Sequence, residues 1–364
     1  MKILISGLFV GLTVLLSNAP LQVASAQVDG ADIRITQVDN SHFPQVTVYV
    51  SVTDAAGEPL GVNPNQIQVR ENGQVIQPDQ VRGSGDIGPL TTLLVMDVSG
   101  SMYDAGKLTA AKAAAQAYVE QMRPGDQAGL LTFNTRVIYL QPVTTDRAAL
   151  LQSINTLDAR GDTSMFDALD QAAEILLELP GRKAIIVLTD GLDNRSKFTA
   201  DEVIRAIGAG GLSISTIGLG DPSKLGSNSG LDEAVLQSLA ARAGGAYGYA
   251  NDPAALVNLY KQYGRALQNE YSITYTSFSA LHDGLNRTLT VSIGGSGSTQ
   301  ASFNPGGVLP EVSHGAPWVV FVVILLVLVG LLFAPGLKGR LLSPAAVKET
   351  KAVPNKQSPR IKLK

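Results

Sequence analysis

Apolar residues along this chain repeat with three different spacings, and each predicts a different kind of structure. Residues 32–38 and 45–52 are rich in Ile, Val, Thr and Tyr with a period near two, the signature of half-buried strands. A turn at Ala55-Ala56-Gly57-Glu58-Pro59 leads to a strand over 66–70, and Glu71-Asn72-Gly73 reads as a hairpin turn into a strand over 74–76. Four such strands are too few to enclose a good core alone. Gly83-Ser84-Gly85 then reads as a linker.

From Leu93 the pattern changes. Leu93, Leu94, Val95 and Met96 form an unbroken apolar run, which suits a strand buried on both faces of a parallel sheet. Leu108, Ala111, Ala115, Tyr118, Val119 and Met122 follow at spacings of three and four, one helical stripe. The alternation continues with strands over 127–133, 136–140 (an antiparallel edge), 184–189, 213–218 and 246–249. Helices are predicted over 147–157, 166–179, 200–209 (capped by Thr199), 231–243 and 253–269. Strands alternating with helices predict an α/β fold with a doubly wound, mostly parallel sheet.

The two-residue period returns over 270–277, 287–293 and 301–303. These strands either stand apart from the N-terminal ones or pair with them into one small β-sandwich, with the α/β unit inserted between its strands. Insertion is reasonable because the ends of a domain often lie close together.

The third spacing is continuous. Residues 3–16 are apolar after Lys2, and Ala24-Ser25-Ala26 is a small-residue cleavage site, so residues 1–26 read as a secretory signal peptide; a retained anchor is the alternative. Residues 317–334 carry no charge, enough to cross a bilayer, with Trp318 at one edge. The expected organisation is therefore 1–26 signal, 27–88 β-rich segment, 89–270 α/β domain, 271–304 β strands, 305–316 spacer, 317–337 transmembrane helix and 338–364 basic tail.

The tail holds eight basic residues against Glu349, so the positive-inside rule expects it in the cytoplasm and the rest outside. Setting aside Lys2 and the tail leaves 19 basic against 30 acidic residues, a net charge of −11, where the whole chain has −3. Such a surface does not invite nucleic acid. Cysteine is absent, which excludes disulfides and thiolate zinc sites, and His42, His282 and His314 are scattered. A glycan at the Asn194 sequon would crowd the neighbouring Asp190, which favours a bacterial envelope.

Candidate chemistry sits at the end of the first buried run. Asp97, Ser99 and Ser101 place one carboxylate and two hydroxyls two residues apart, with Gly100 allowing a tight turn. They lie at the carboxyl end of a central strand, where open α/β sheets bind ligands. Hard oxygens of this kind suit a divalent cation such as Mg²⁺. Asp104, Asp162, Asp167 and Asp193 crowd nearby in sequence, either as a second cation site or as helix caps and loop acids.

Asp-x-Ser-x-Ser after a buried strand resembles the metal-ion-dependent adhesion site of von Willebrand factor A domains. Two further pieces follow in the right order: the loop Gly161-Asp162-Thr163-Ser164, and a second buried strand ending at Thr189-Asp190-Gly191. The resemblance covers about residues 89–271. It implies that Ser99, Ser101 and Thr163 touch a metal (Mg²⁺, or Mn²⁺ or Ca²⁺) directly, while Asp97 and Asp190 act through water. It also implies that an acidic group of a partner protein completes the coordination.

Hydrolytic metal sites usually add a general base and a histidine-bearing shell, but no His lies between Ser99 and Asp190 and no phosphate-cradling glycine loop appears. A non-enzymatic binding module is expected, held at the cytoplasmic membrane by one span. The alternative is an envelope assembly component that scaffolds a secretion, pilus or chaperone-like complex.

Overall fold

The computed structural model describes residues 31–83, 86–208, 211–220, 230–294, 297–307, 322–326 and 328. The expected signal peptide, most of the spacer, the basic tail and all but six residues of the expected span lie outside them. Residues 322–326 and 328 are helical. Among the described residues no helix is long and apolar enough to cross a membrane.

A six-stranded sheet forms the centre, built from β6 (Leu90–Asp97), β7 (Gln127–Phe133), β8 (Val137–Thr144), β9 (Arg182–Thr189), β10 (Ser213–Leu219) and β11 (Tyr247–Ala250). Its order is β11-β10-β9-β6-β7-β8, parallel except for β8, which runs antiparallel along one edge. All eight residues of β6 are buried, as an unbroken apolar strand requires. β8 alternates half-buried and exposed residues, as suits an edge strand covered on one side.

Helices cover both faces. On one lie α1 (Lys107–Gln121), α2 (Arg147–Asn155) and α6 (Pro253–Gln268), sharing a core with Leu94, Met96, Leu130, Ile186 and Tyr260. On the other lie α3 (Met165–Leu177), α4 (Ala200–Ile207) and α5 (Glu233–Arg242), packed on Leu93, Val95, Leu131, Ile185 and Val187. The alternation of core membership along β6 is the pleat: successive side chains point to opposite faces. α4 begins with a capping box, in which Thr199 and Glu202 satisfy each other's backbone amides.

The flanking strands make two four-stranded sheets around a second core. β1 (Asp32–Asp39), β2 (Gln45–Thr53) and β5 (Gln80–Arg82) precede the α/β unit, and β12 (Tyr271–Thr276) follows it; together they form the sheet β1-β2-β12-β5. β3 (Ile67–Glu71) and β4 (Gln74–Ile76) join β13 (Arg287–Ile293) and β14 (Ser298–Phe303) in the order β14-β13-β3-β4. β12 lies antiparallel to β2 from Tyr271↔Val50 to Thr276↔Gln45, and β13 antiparallel to β3 from Leu289↔Glu71 to Ile293↔Ile67. Strands from both sides of the α/β unit thus enclose one core, which includes Val48, Val50, Val69, Ile273, Val291 and Phe303.

Polar clamps join sandwich and α/β unit, two of them at the start of β9. The Gln37 amide donates to the Gly181 carbonyl at 3.0 Å and accepts from the Lys183 N–H at 2.9 Å, imitating a strand neighbour at the entry to β9. Arg182, buried at the start of β9, donates to the carbonyls of Gly88 and Leu267 and to the Glu270 carboxylate, with its guanidinium 5.4 Å from the Tyr49 ring centre. Gly88 precedes β6, while Leu267 and Glu270 flank the passage from α6 to β12. One guanidinium therefore ties both chain crossings.

Breaking a buried pair costs more than deleting it whole, because the surviving charge stays buried without a partner. Arg182→Met should lower unfolding stability by ~3–5 kcal/mol, and adding Glu270→Gln should recover most of that loss. Urea unfolding midpoints of the two variants check it.

Candidate metal centre

Three loops converge at the carboxyl edge of the sheet, the end away from the sandwich. Backbone hydrogen bonds lock them together: Val98 N–H to Phe133 O at 2.9 Å, Arg160 N–H to Val98 O at 2.8 Å, and Gly100 N–H to Gly161 O at 2.9 Å. Gly161 adopts φ +84°, and a Cβ there would lie 2.5 Å from Thr135 Oγ1, so this crossing requires glycine.

The parallel register pairs Met96 with Leu188, which sets Asp97 beside Thr189. Asp97 is 0% exposed. One of its oxygens accepts from the Ser99 N–H at 2.8 Å, and the other accepts from Thr189 Oγ1 at 2.6 Å. Ser99 Oγ lies 3.1 Å from Ser101 Oγ, which donates to Asp190 Oδ1 at 2.6 Å. Thr163 is held by its backbone: its N–H donates to Asn194 Oδ1 at 3.0 Å, and its carbonyl accepts the amides of Asn194 and Arg195 at 3.1 Å.

Gly191 closes the side of the cluster. A Cβ there would lie 3.8 Å from Thr163 Oγ1 and 3.9 Å from Ser101 Oγ, so these two hydroxyls border the same space. The structure thus brings Asp97, Ser99, Ser101, Thr163 and Asp190 to one edge. Ser101 is the exposed member and opens the cluster to solvent.

Lys107 was not among the residues expected from sequence, yet it forms an ion pair with the buried Asp190 carboxylate at 2.5 Å. A signal for it existed. Lys107 opens α1, and a cation at a helix N-terminus opposes the macrodipole, so its presence there calls for a nearby anion. Thr189 was likewise missed, because its role depends on the register between β6 and β9.

Asp104 is exposed, and the other three acids are occupied elsewhere. Asp167 accepts the amides of Lys197 and Phe198, Asp193 accepts those of Phe166, Arg195 and Ser196, and exposed Asp162 faces Arg195 at 3.4 Å. Among the described residues there is no group of three or more His, Cys, Asp or Glu placed to hold a metal ion. A cation at this edge would rest on hydroxyls as well as carboxylates.

The donor set fits a hard divalent cation. Two carboxylates are buried within one hydrogen-bonded cluster, and Lys107 is paired with one of them, Asp190. Burial raises the Asp97 pKa from 3.8 to about 6, hydrogen bonds from Thr189 and Ser99 oppose the rise, and the nearby Asp190 charge adds to it.

Residues 92–192 match the family model described as von Willebrand factor type A domain. A protein of an uncharacterised family from Mycolicibacterium paratuberculosis is 32% identical over 151 residues, 36% of this chain and 44% of that one. An uncharacterised protein of Synechocystis is 26% identical over 191 residues, 50% of this chain and 42% of that one. The chain therefore spans less than half the length of these curated relatives. Among solved structures, a von Willebrand factor type A protein from Catenulispora acidiphila aligns at 17% identity with a TM-score of 0.46, covering 78% of this chain and 75% of that one.

With a folded pKa above its unfolded value, Asp97 contributes most to stability below about pH 4. That contribution is lost as pH rises through about 6. In chelator, Asp97→Asn should therefore stabilise the protein at pH 7.5 by ~2–3 kcal/mol and leave it nearly unchanged at pH 4. Thermal melts across this range check the sign.

Proposed function

We propose that this protein is a divalent-metal-dependent protein-binding module that captures an acidic group of a partner. The observation that carries this reading is the charge imbalance at the carboxyl edge: two buried carboxylates face one ammonium, beside three hydroxyls. Ser99, Ser101 and Thr163 would hold Mg²⁺, or Mn²⁺ or Ca²⁺, through neutral oxygens. Asp97 and Asp190 would supply negative charge; Asp190 accepts from the Ser101 hydroxyl, and Asp97 holds the Ser99 backbone N–H. A bound ion would offer Lewis acidity and a coordination position that an outside carboxylate can take. Tyr103, 78% exposed and two residues from Ser101, offers a broad amphipathic contact for the partner at the rim.

The proposed role is binding and not catalysis. Asp97, Asp190, Asp167 and Asp193 are each tied to an amide, a hydroxyl or a basic side chain, and no imidazole comes from the segment between Ser99 and Asp190. The proposal also places the binding edge outside the cytoplasmic membrane. The apolar N-terminal run with its Ala24-Ser25-Ala26 site, the uncharged residues 317–334 and the eight basic residues after them support export and a single-pass anchor.

Titrating Mg²⁺ or Mn²⁺ into chelator-treated protein should give a measurable heat. Asp97→Ala, Ser101→Ala and Thr163→Ala should each weaken it at least about tenfold, as loss of a ligand or its orienting partner does. No heat with any divalent ion would overturn the reading. Lys107→Met should shift the same titration the other way, tightening the ion about tenfold, because the ammonium competes for Asp190. It should also lower stability in chelator, measured by thermal melts.

A further inference from the structure

The loop between β12 and β13, residues 277–286, exposes three large apolar side chains: Phe278 at 59%, Leu281 at 68% and Leu285 at 66%. Its sequence is SFSALHDGLN, with Asp283 as the single charge. Small water-facing loops are normally polar, and a cluster of three such side chains asks for a partner.

The loop is not free to fold these side chains inward. Arg287, itself buried, donates to the Ser279 carbonyl at 2.9 Å and the Leu281 carbonyl at 3.0 Å. Ser277 donates to Glu71 Oε1 at 2.7 Å, and its N–H bonds Pro44 O at 2.9 Å. His282 stacks edge-on against Phe43 with ring centres 5.0 Å apart. The exposed side chains stand on a backbone fixed from behind.

The same loop is where the sandwich strands end and the chain departs. Asp283 and Gly307 form an antiparallel bridge, the Gly284 N–H bonds Gly306 O at 3.1 Å, and the His282 ring lies 2.6 Å from Pro305 O. Gly307 is thereby pinned against the apolar loop. Residue 317, where the uncharged run of 317–334 begins, comes ten positions later.

We infer that Phe278, Leu281 and Leu285 form a bilayer-contacting foot that enters the outer interface of the membrane beside the anchor. This rests on the membrane anchoring proposed above. A tethered loop meets the bilayer at high effective concentration, so three side chains too few to bind membranes unaided can remain seated. The loop itself carries Asp283 as its single charge, so the attraction is apolar and not electrostatic. Contact should therefore be equal on zwitterionic and anionic lipid.

The test uses the full chain in phosphatidylcholine vesicles. Trp318 is the single tryptophan, so Trp318→Phe with Phe278→Trp places one fluorophore on the foot. Emission should shift blue relative to detergent-free aqueous protein, and lipids brominated near the headgroup should quench it at least about twofold. Adding phosphatidylglycerol should change neither result. If the protein floats with the vesicles but the probe stays unquenched and open to iodide, the foot is wrong and the anchor stands. A blue-shifted probe that bromolipid does not quench means that protein, such as residues 308–316, covers the loop, and this too overturns the foot. If the protein does not float, the anchoring reading itself has failed and takes the foot with it.

Discussion

The buried guanidinium of Arg182 is the contact on which the arrangement of this molecule turns. It sits at the first position of β9 and reaches Gly88 before β6, Leu267 at the end of α6 and Glu270 before β12. β6 and β9 are neighbouring parallel strands in register from Leu90↔Arg182 to Met96↔Leu188. Pinning their starts therefore also aligns their ends, where Asp97 and Asp190 emerge about 25 Å away along eight-residue strands. A buried ion pair seldom adds much net stability, but it can specify geometry. Here the geometry specified at one edge of the sheet is what places two carboxylates together at the other.

That juxtaposition has an electrostatic consequence. The hydrogen-bonded chain Asp97, Ser99, Ser101, Asp190 holds the two carboxylates in one cluster. Lys107 pairs with Asp190, while burial, and to a smaller extent the neighbouring Asp190 charge, raises the pKa of Asp97. The loops around the cluster are held by acids that accept backbone amides, Asp167 and Asp193 among them. Carboxylates near the cluster thus divide into two kinds: those that hold loops through backbone amides, and the buried pair Asp97 and Asp190, of which Asp190 is paired with Lys107.

Much of this was legible from local pattern. Leu93-Leu94-Val95-Met96 identifies a strand buried on both faces without reference to anything else in the chain, and the helical stripe of Leu108 to Met122 does the same for α1. The five oxygen-bearing residues stand at the ends of such elements, so their approximate location follows. What escaped was contact across distance. Lys107 meets Asp190 across 83 positions and Arg182 meets Glu270 across 88, and no periodicity records such pairs. β5 escaped for another reason: Gln80-Val81-Arg82 has three residues with no apolar alternation, and it is a strand only because β12 offers it an edge. The nearby acids looked alike in sequence, and only their hydrogen bonds separate loop-tying carboxylates from cluster members.

The double crossing between sandwich and α/β unit shapes how force and partners are met. A domain joined by one linker swings; this one enters through the segment before β6 and leaves through the passage after α6, and Arg182 ties the two together. Gln37 adds a bidentate clasp at β9, and Arg265 reaches Glu58 on the sandwich at 3.0 Å. Inter-domain motion is the default where interfaces are small and singly connected. Two covalent passages with three polar clamps remove that freedom. The hydroxyl cluster is therefore presented in a fixed orientation relative to the sandwich, and its direction is set by the fold and not by a flexible tether.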